Sequence, residues 1–151
     1  MRRISAFLQT SLHKFWVLWY ILKACATLIK RALKHDQSKY SKEEEPYFYK
    51  YTHLLKNCEY GSDQYKGFLQ KLGPALKHHY SFNSHHPEHY IEGIGEMSDL
   101  DRIELLCDWR AAVRRHKTGN LIDSINKNSK RFNYDNQKII SFIRDSKEMG
   151  L

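Results

Sequence analysis

The residues best suited to chemistry in this chain are histidines and carboxylates in a recurring order. His35 and Asp36 stand side by side in the run Leu33-Lys34-His35-Asp36-Gln37-Ser38-Lys39. A neutral imidazole and a carboxylate are good ligands for Zn, Mn, Fe, Co or Ni. Placed next to each other at a helix end, the two can serve one ion. His13 lies upstream, His78-His79 and His85-His86-Pro87-Glu88-His89 lie downstream, and Asp108 comes last. Nine of the 151 residues are histidine, and five of those fall within residues 78–89. That spacing is more ordered than a simple His-rich tract. Pro87 suits the first turn of a helix, which sets His85 and His89 about one turn apart and points His86 elsewhere. The order His, His-Asp, several His, Asp makes a metal-dependent enzyme the leading expectation.

Two cationic side chains accompany these ligands. Residues 108, 111, 112 and 115 share or border one helical face, which reads Asp, Ala, Ala, Arg. An inward Asp108 is costly to bury unless it is paired or metal-bound. The alanines leave room for a ligand, and Arg115 could reach a substrate phosphate. Lys39 stands three residues after Asp36 and would share its face on a continuing helix, in reach of an anionic substrate oxygen. His53 and His116 have no evident partners and read as ordinary surface or core histidines.

The elements that must position these residues read as all-α. No segment alternates apolar and polar residues over strand length. A first helical region runs from about Ile4 to Lys34 with no Gly or Pro. If continuous, it separates His13 from His35 by about 33 Å. A shared site therefore requires a fold-back, for which Ala24-Cys25-Ala26-Thr27 is the best place, with Thr27 capping the second helix. Ser41 with Glu44 resembles a capping box for a helix over roughly 43–57. Gly61-Ser62-Asp63 reads as a turn before a helix over about 64–78, which Gly73-Pro74 could kink or split. Residues 80–86 read as a loop, with a short helix next from Pro87 to about Met97. Ser98 and Asp101 open a helix to about Lys117, and Gly119 ends it. Helices over about 121–131 and 134–148 complete the chain.

Bulk properties place these elements in one globular domain over residues 1–151. The chain is 28% charged and 41% hydrophobic, which excludes a disordered class. Its length can bury a core without disulfide support. Cys25, Cys58 and Cys107 form no paired motif and suggest a reducing, cytoplasmic setting. The formal charge of +8 comes almost wholly from residues 1–34, which carry seven basic residues and no acid. Such a surface could meet nucleic acid or anionic lipid, although ordinary helix solvation explains it as well. The uncharged stretch Phe15–Leu22 is only eight residues long, and Lys23 interrupts the apolar run there. A spanning helix needs about 20 apolar residues, so this segment reads as a core helix with Lys14, Lys30 and Arg31 at its exposed edges.

The order His13, His35-Asp36, Asp108 resembles the HD-domain superfamily of metal-dependent phosphohydrolases. His35-Asp36-Gln37-Ser38-Lys39 is similar to that family's H-D-x-G/S-K segment. The stretch from His78 to His89 also resembles a small group of phage and bacterial HD-like proteins. The resemblance spans residues 13–108. It implies an HD-like helical bundle with a metal site between helices, one ion being held by His13, His35, Asp36 and Asp108. Members with extra histidines hold a second ion bridged by the Asp of the pair. His79 and His86 are the candidates for that second site, with His78, His85 and His89 as near alternatives.

The leading expectation is a hydrolase of a nucleotide or another small phosphate ester, using one or two divalent ions (Mn, Fe, Co, Ni, Zn or Mg). Asp36 would bind metal and orient water, Lys39 and Arg115 would neutralise phosphate charge, and His89 would protonate the leaving oxygen. A di-iron HD-like oxygenase is a second expectation. A third is a non-enzymatic module that binds nucleic acid or protein through the basic, aromatic N-terminal region with Trp16, Trp19 and Tyr20.

Overall fold

A computed structural model describes the backbone of residues 2–58, 62–114 and 119–151, with side chains except at 2–4 and 56. Every regular element among these residues is helical, as expected of an all-α chain. The six α-helices are α1 (Arg2–Lys34), α2 (Glu45–Lys56), α3 (Asp63–Phe82), α4 (Asp99–Val113), α5 (Leu121–Phe132) and α6 (Asn136–Glu148). Short 3-10 turns lie at Gln37–Tyr40, Pro87–His89 and Gly93–Gly95. The chain forms two compact units, Met1–His35 and Asp36–Leu151.

The first unit is α1. The expected fold-back at Ala24–Thr27 is absent, because the helix runs unbroken to Lys34. The Thr27 hydroxyl, expected to cap a new helix, instead donates to the Lys23 carbonyl one turn back. No Gly or Pro interrupts the backbone ladder, so nothing local forces a turn. The expectation of a core helix fails too: residues 5–27 are all exposed, Phe15, Trp16, Trp19 and Ile21 among them. A lone helix has no facing element within its own unit against which to bury them. By length and composition the segment is apolar enough to cross a membrane.

The second unit has its own core. Leu105, Leu106 and Trp109 of α4 pack with Leu121 and Ile125 of α5, Phe142 of α6, and Ile94 and Met97 from the preceding turn. Trp109 stacks on Phe132 at 6.3 Å between ring centroids and meets Phe142 edge-on at 6.1 Å. Spacings of three and four residues bring Leu105, Leu106 and Trp109 of α4, and Leu121 and Ile125 of α5, to the core-facing side of their helices. The last two helices fall within a residue or two of their expected positions.

Around the candidate site, α2 packs along α3, and the 3-10 turns at 37–40 and 87–89 pack against α3 as well. Pro74 does not split α3, which continues to Phe82. Leu72 and Ala75, on either side of Pro74, are buried. The consequence is positional: residues 78–82, expected at a helix end and in a loop, form the last turns of a helix. His78 and His79 therefore have a rigid support.

Asp101 fastens the histidine loop to α4. Ser98 and Asp101 make the expected capping box at the start of that helix. The Asp101 carboxylate is buried and also accepts hydrogen bonds from Ser84 Oγ at 2.6 Å and Tyr90 Oη at 2.8 Å. One charged group thus ties both ends of the loop that carries His85, His86 and His89. Hydrogen bonds to a charged group each contribute about 1.5–3 kcal/mol. Asp101→Ala should therefore lower unfolding stability by about 2–4 kcal/mol in urea titration; a change below about 0.5 kcal/mol, the usual size for an unconstrained surface site, would show that the loop is held by other contacts.

Candidate metal centre

The site is built where the turn after residue 35 meets the C-terminal end of α3. Asp36 adopts the left-handed backbone conformation, φ 57° and ψ 14°. Asp tolerates this region better than most residues, yet it remains uncommon outside Gly. The conformation takes the chain into the 3-10 turn Gln37–Tyr40. The Asp36 side chain makes no cap bond to that turn. Instead Oδ2 accepts from Lys39 Nζ at 2.6 Å, while Oδ1 lies 3.1 Å from His79 Nε2 and 3.5 Å from His85 Nε2. His86 completes the group, its Nε2 lying 3.0 Å from His79 Nε2. One ligand atom each from Asp36, His79, His85 and His86 falls within 4.8 Å of every other.

Behind this group stand two carboxylates. Glu44 has no solvent exposure. Its Oε2 lies 2.9 Å from His79 Nδ1 and its Oε1 lies 2.7 Å from His78 Nδ1. Glu104 Oε1 lies 3.1 Å from His85 Nδ1. A carboxylate accepts and does not donate, so the proton of each neutral ring belongs on Nδ1. Neighbouring polar groups agree with that assignment. Ser38 Oγ, 2.9 Å from His79 Nδ1, can accept from it, and Asn83 Nδ2, though 3.2 Å from that nitrogen, has acceptors in Ser38 Oγ and the His79 carbonyl, each at 2.7 Å. With Nδ1 protonated, the Nε2 atoms of His79 and His85 present lone pairs toward Asp36 Oδ1.

Electrostatics hold the third ring neutral. Burial pushes His86 down from its ordinary value to about 3, helped by His85 and His79 and opposed by Asp36. A neutral imidazole is the form that ligates a metal. Three imidazoles and one carboxylate oxygen therefore come together, with acceptor atoms from His79, His85 and Asp36 and the Nε2 of a neutral His86. Two ligands bound at about 2.0–2.1 Å sit about 2.9–3.4 Å apart for angles between octahedral and tetrahedral. The distances of 3.0 and 3.1 Å fall within that spacing, and 3.5 Å lies just beyond it. The donor set fits a divalent transition ion.

The structure treats the expected site residues differently. Asp36, His79 and His86 come together, and His85 joins them from among the alternatives. An Asp108 carboxylate oxygen lies within 4.8 Å of a His85 ring nitrogen. His78 stands outside the group and binds Glu44. His89 is not brought in: its ring is exposed and its Nδ1 donates to the Tyr80 carbonyl at 2.7 Å. His13 cannot share an ion with His35 in one chain, because the unbroken α1 sets them about 33 Å apart. His35 ends the first unit and is joined to Asp36 by the peptide bond. Arg115 and His116 lie outside the described residues. Lys39 sits in a 3-10 turn rather than on an extended helix, and its ammonium also lies over the Phe48 ring.

Sequence reasoning missed both supporting carboxylates. Glu44 reads as a capping residue, and it does precede α2. Its side chain, however, makes no cap bond and turns inward to the histidines. Glu104 stands three residues after Asp101 on α4 and looks like any helical surface acid. Spacing cannot show which acids on a helix face inward when their partners are distant in sequence.

This is an all-α protein with a histidine-aspartate group buried at the end of one helix. It belongs to the family of unknown function DUF5662, whose model matches residues 3–148. No match was found among curated proteins or solved structures.

The His86 shift has a defined effect on the metal-free protein. An unfolded His86 takes up a proton near pH 6.5, whereas the folded residue does so only near 3. Between those values the unfolded chain binds the extra proton, so this contribution to stability rises with pH and is lost as pH falls through the window. The His86 ring resonances in NMR should stay in the neutral form at pH 5, and His86→Gln should move acid unfolding to lower pH. Protonation of His86 near 6.5 would contradict the burial.

Proposed function

We propose that this chain is a metal-dependent phosphohydrolase acting on a nucleotide or a related small phosphate ester. The observation that carries the metal part is the convergence of Asp36 Oδ1 with three imidazoles, two of them backed by Glu44 and Glu104. The phosphate part rests on the resemblance of His35-Asp36-Gln37-Ser38-Lys39 to the HD-domain segment.

A bound divalent ion supplies Lewis acidity toward a phosphoryl oxygen and toward water. The chain's own residues do the rest. Asp36 presents Oδ1 to the group while Lys39 neutralises Oδ2, so the two oxygens have separate tasks. Lys39, half-buried beside Asp36, is the nearest described cation for a phosphate oxygen. Exchange of its bond to Asp36 for one to phosphate would couple substrate binding to the charge on Asp36. The rings of His79 and His85 are held in place by their carboxylates and need little reorganisation.

The test is elemental analysis of protein purified without a His-tag, and then a phosphatase and phosphodiesterase panel with added Mn, Co or Mg. Wild type should carry a transition metal and hydrolyse at least one phosphate ester. Asp36→Ala and His79→Ala should lose more activity than the about 10–100-fold that removal of an outer hydrogen-bonding partner costs, while circular dichroism stays helical. Full activity in either variant contradicts the proposal. Bound iron with oxygen consumption and no hydrolysis would assign the site to a di-iron oxygenase instead.

A further inference from the structure

Facing the ion is the task of Asp36 and the imidazoles; the buried carboxylates behind them must have another. Glu44 is the most deeply buried acid among the described residues. Its two oxygens go to two histidine nitrogens, 2.7 and 2.9 Å away. Glu104, largely buried, repeats the arrangement at His85. Burying a carboxylate costs several kcal/mol unless strong donors answer it. Glu44 meets two rings and Glu104 a third, and the opposite nitrogens of His79 and His85 lie near Asp36 Oδ1.

We propose that Glu44 and Glu104 are positioning residues that fix His79 and His85 as Nε2 donors, making the site selective for a borderline transition ion such as Co, Zn or Fe over Mg and Ca. This inference rests on the metal-binding part of the proposed function. The selectivity comes from the donor set. Mg and Ca favour oxygen ligands and keep water, whereas imidazole suits Zn, Fe, Co and Ni. Two carboxylates hydrogen-bonded to the rings raise the basicity of the inward nitrogens and hold their orientation. Lys39 acts in the same sense on Asp36: by holding Oδ2 at 2.6 Å it directs the other carboxylate oxygen, Oδ1, to the group. A site with one carboxylate oxygen and three imidazoles is poor for a hard cation.

Glu44 also sets the tautomers. Its two oxygens accept from the Nδ1–H of His78 and the Nδ1–H of His79 together. A glutamine in its place has one acceptor oxygen and one NH2 group. It can serve one of those N–H groups and opposes the other. Glu44→Gln therefore keeps size and shape but removes both the charge and one acceptor. Glu104→Gln removes the charge and keeps one acceptor oxygen for the His85 ring.

The experiment is titration of the metal-free full-length protein with Co(II), read by the visible d–d absorption and by competition with a chelator of known affinity. Wild type should give a saturable band that a large molar excess of Mg does not displace. Glu44→Gln and Glu104→Gln should each weaken Co(II) binding about 10–100-fold and shift the band, with unchanged helicity. His79→Ala serves as the control that loses the band. Equal affinity and an identical band in both Gln variants would overturn the positioning role. Displacement by Mg would overturn the selectivity. Absence of any Co(II) band in wild type, with His79→Ala no different, would sink the metal site itself. If Glu44→Gln fails to fold, Glu104→Gln alone decides, since its carboxylate stands at the other ring.

Discussion

A fully buried carboxylate constrains everything around it. Glu44 lies at the start of α2 with no solvent to stabilise its charge, and only strong hydrogen-bond donors can offset that desolvation. The donors it finds are His78 and His79, one turn before the end of α3. That pairing fixes how α2 lies on α3 and which face of α3 points inward. It also selects the tautomer of a neutral His79 ring, since a proton on Nδ1 leaves a lone pair on Nε2. The metal-binding face of the site is thus a consequence of the carboxylate standing behind it.

The rest of the second unit builds on this pairing. The turn after Asp36 packs on α3 and brings Oδ1 to His79. The loop after α3 returns His85 and His86 to the same point, and Asp101 on α4 holds that loop at Ser84 and Tyr90. Glu104, one turn further along α4, meets His85. The apolar core formed by α4, α5 and α6 anchors α4, so the position of Glu104 depends on packing far from the histidines. Every residue of that core belongs to the second unit; α1 is a long, basic, exposed helix in a unit of its own.

The sequence displayed the all-α class, the last two helices, the Ser98–Asp101 capping box and most of the histidine group. These depend on local signals, namely periodicity, caps and the density of ligating residues. The features it did not display were non-local. α3 continues through Pro74, with Leu72 and Ala75 beside it buried in the folded unit. The inward turn of Glu44 depends on histidines 34 and 35 residues away, and nothing in the Ser41–Glu44 spacing distinguishes it from a cap. His13 drew attention because its residue type and order fit a ligand pattern, yet an unbroken helix places it far from His35. Residue type and order identified which side chains could bind a metal, while helix continuity determined which of them meet.

X-ray absorption at the metal K-edge of protein loaded with one equivalent of Co(II) or Zn(II) tests the central claim most directly. The account predicts a nitrogen/oxygen shell near about 2.0–2.1 Å with the outer scattering of two or three imidazoles, lost in His79→Ala. An oxygen-only shell without imidazole scattering, unchanged by that substitution, would contradict it.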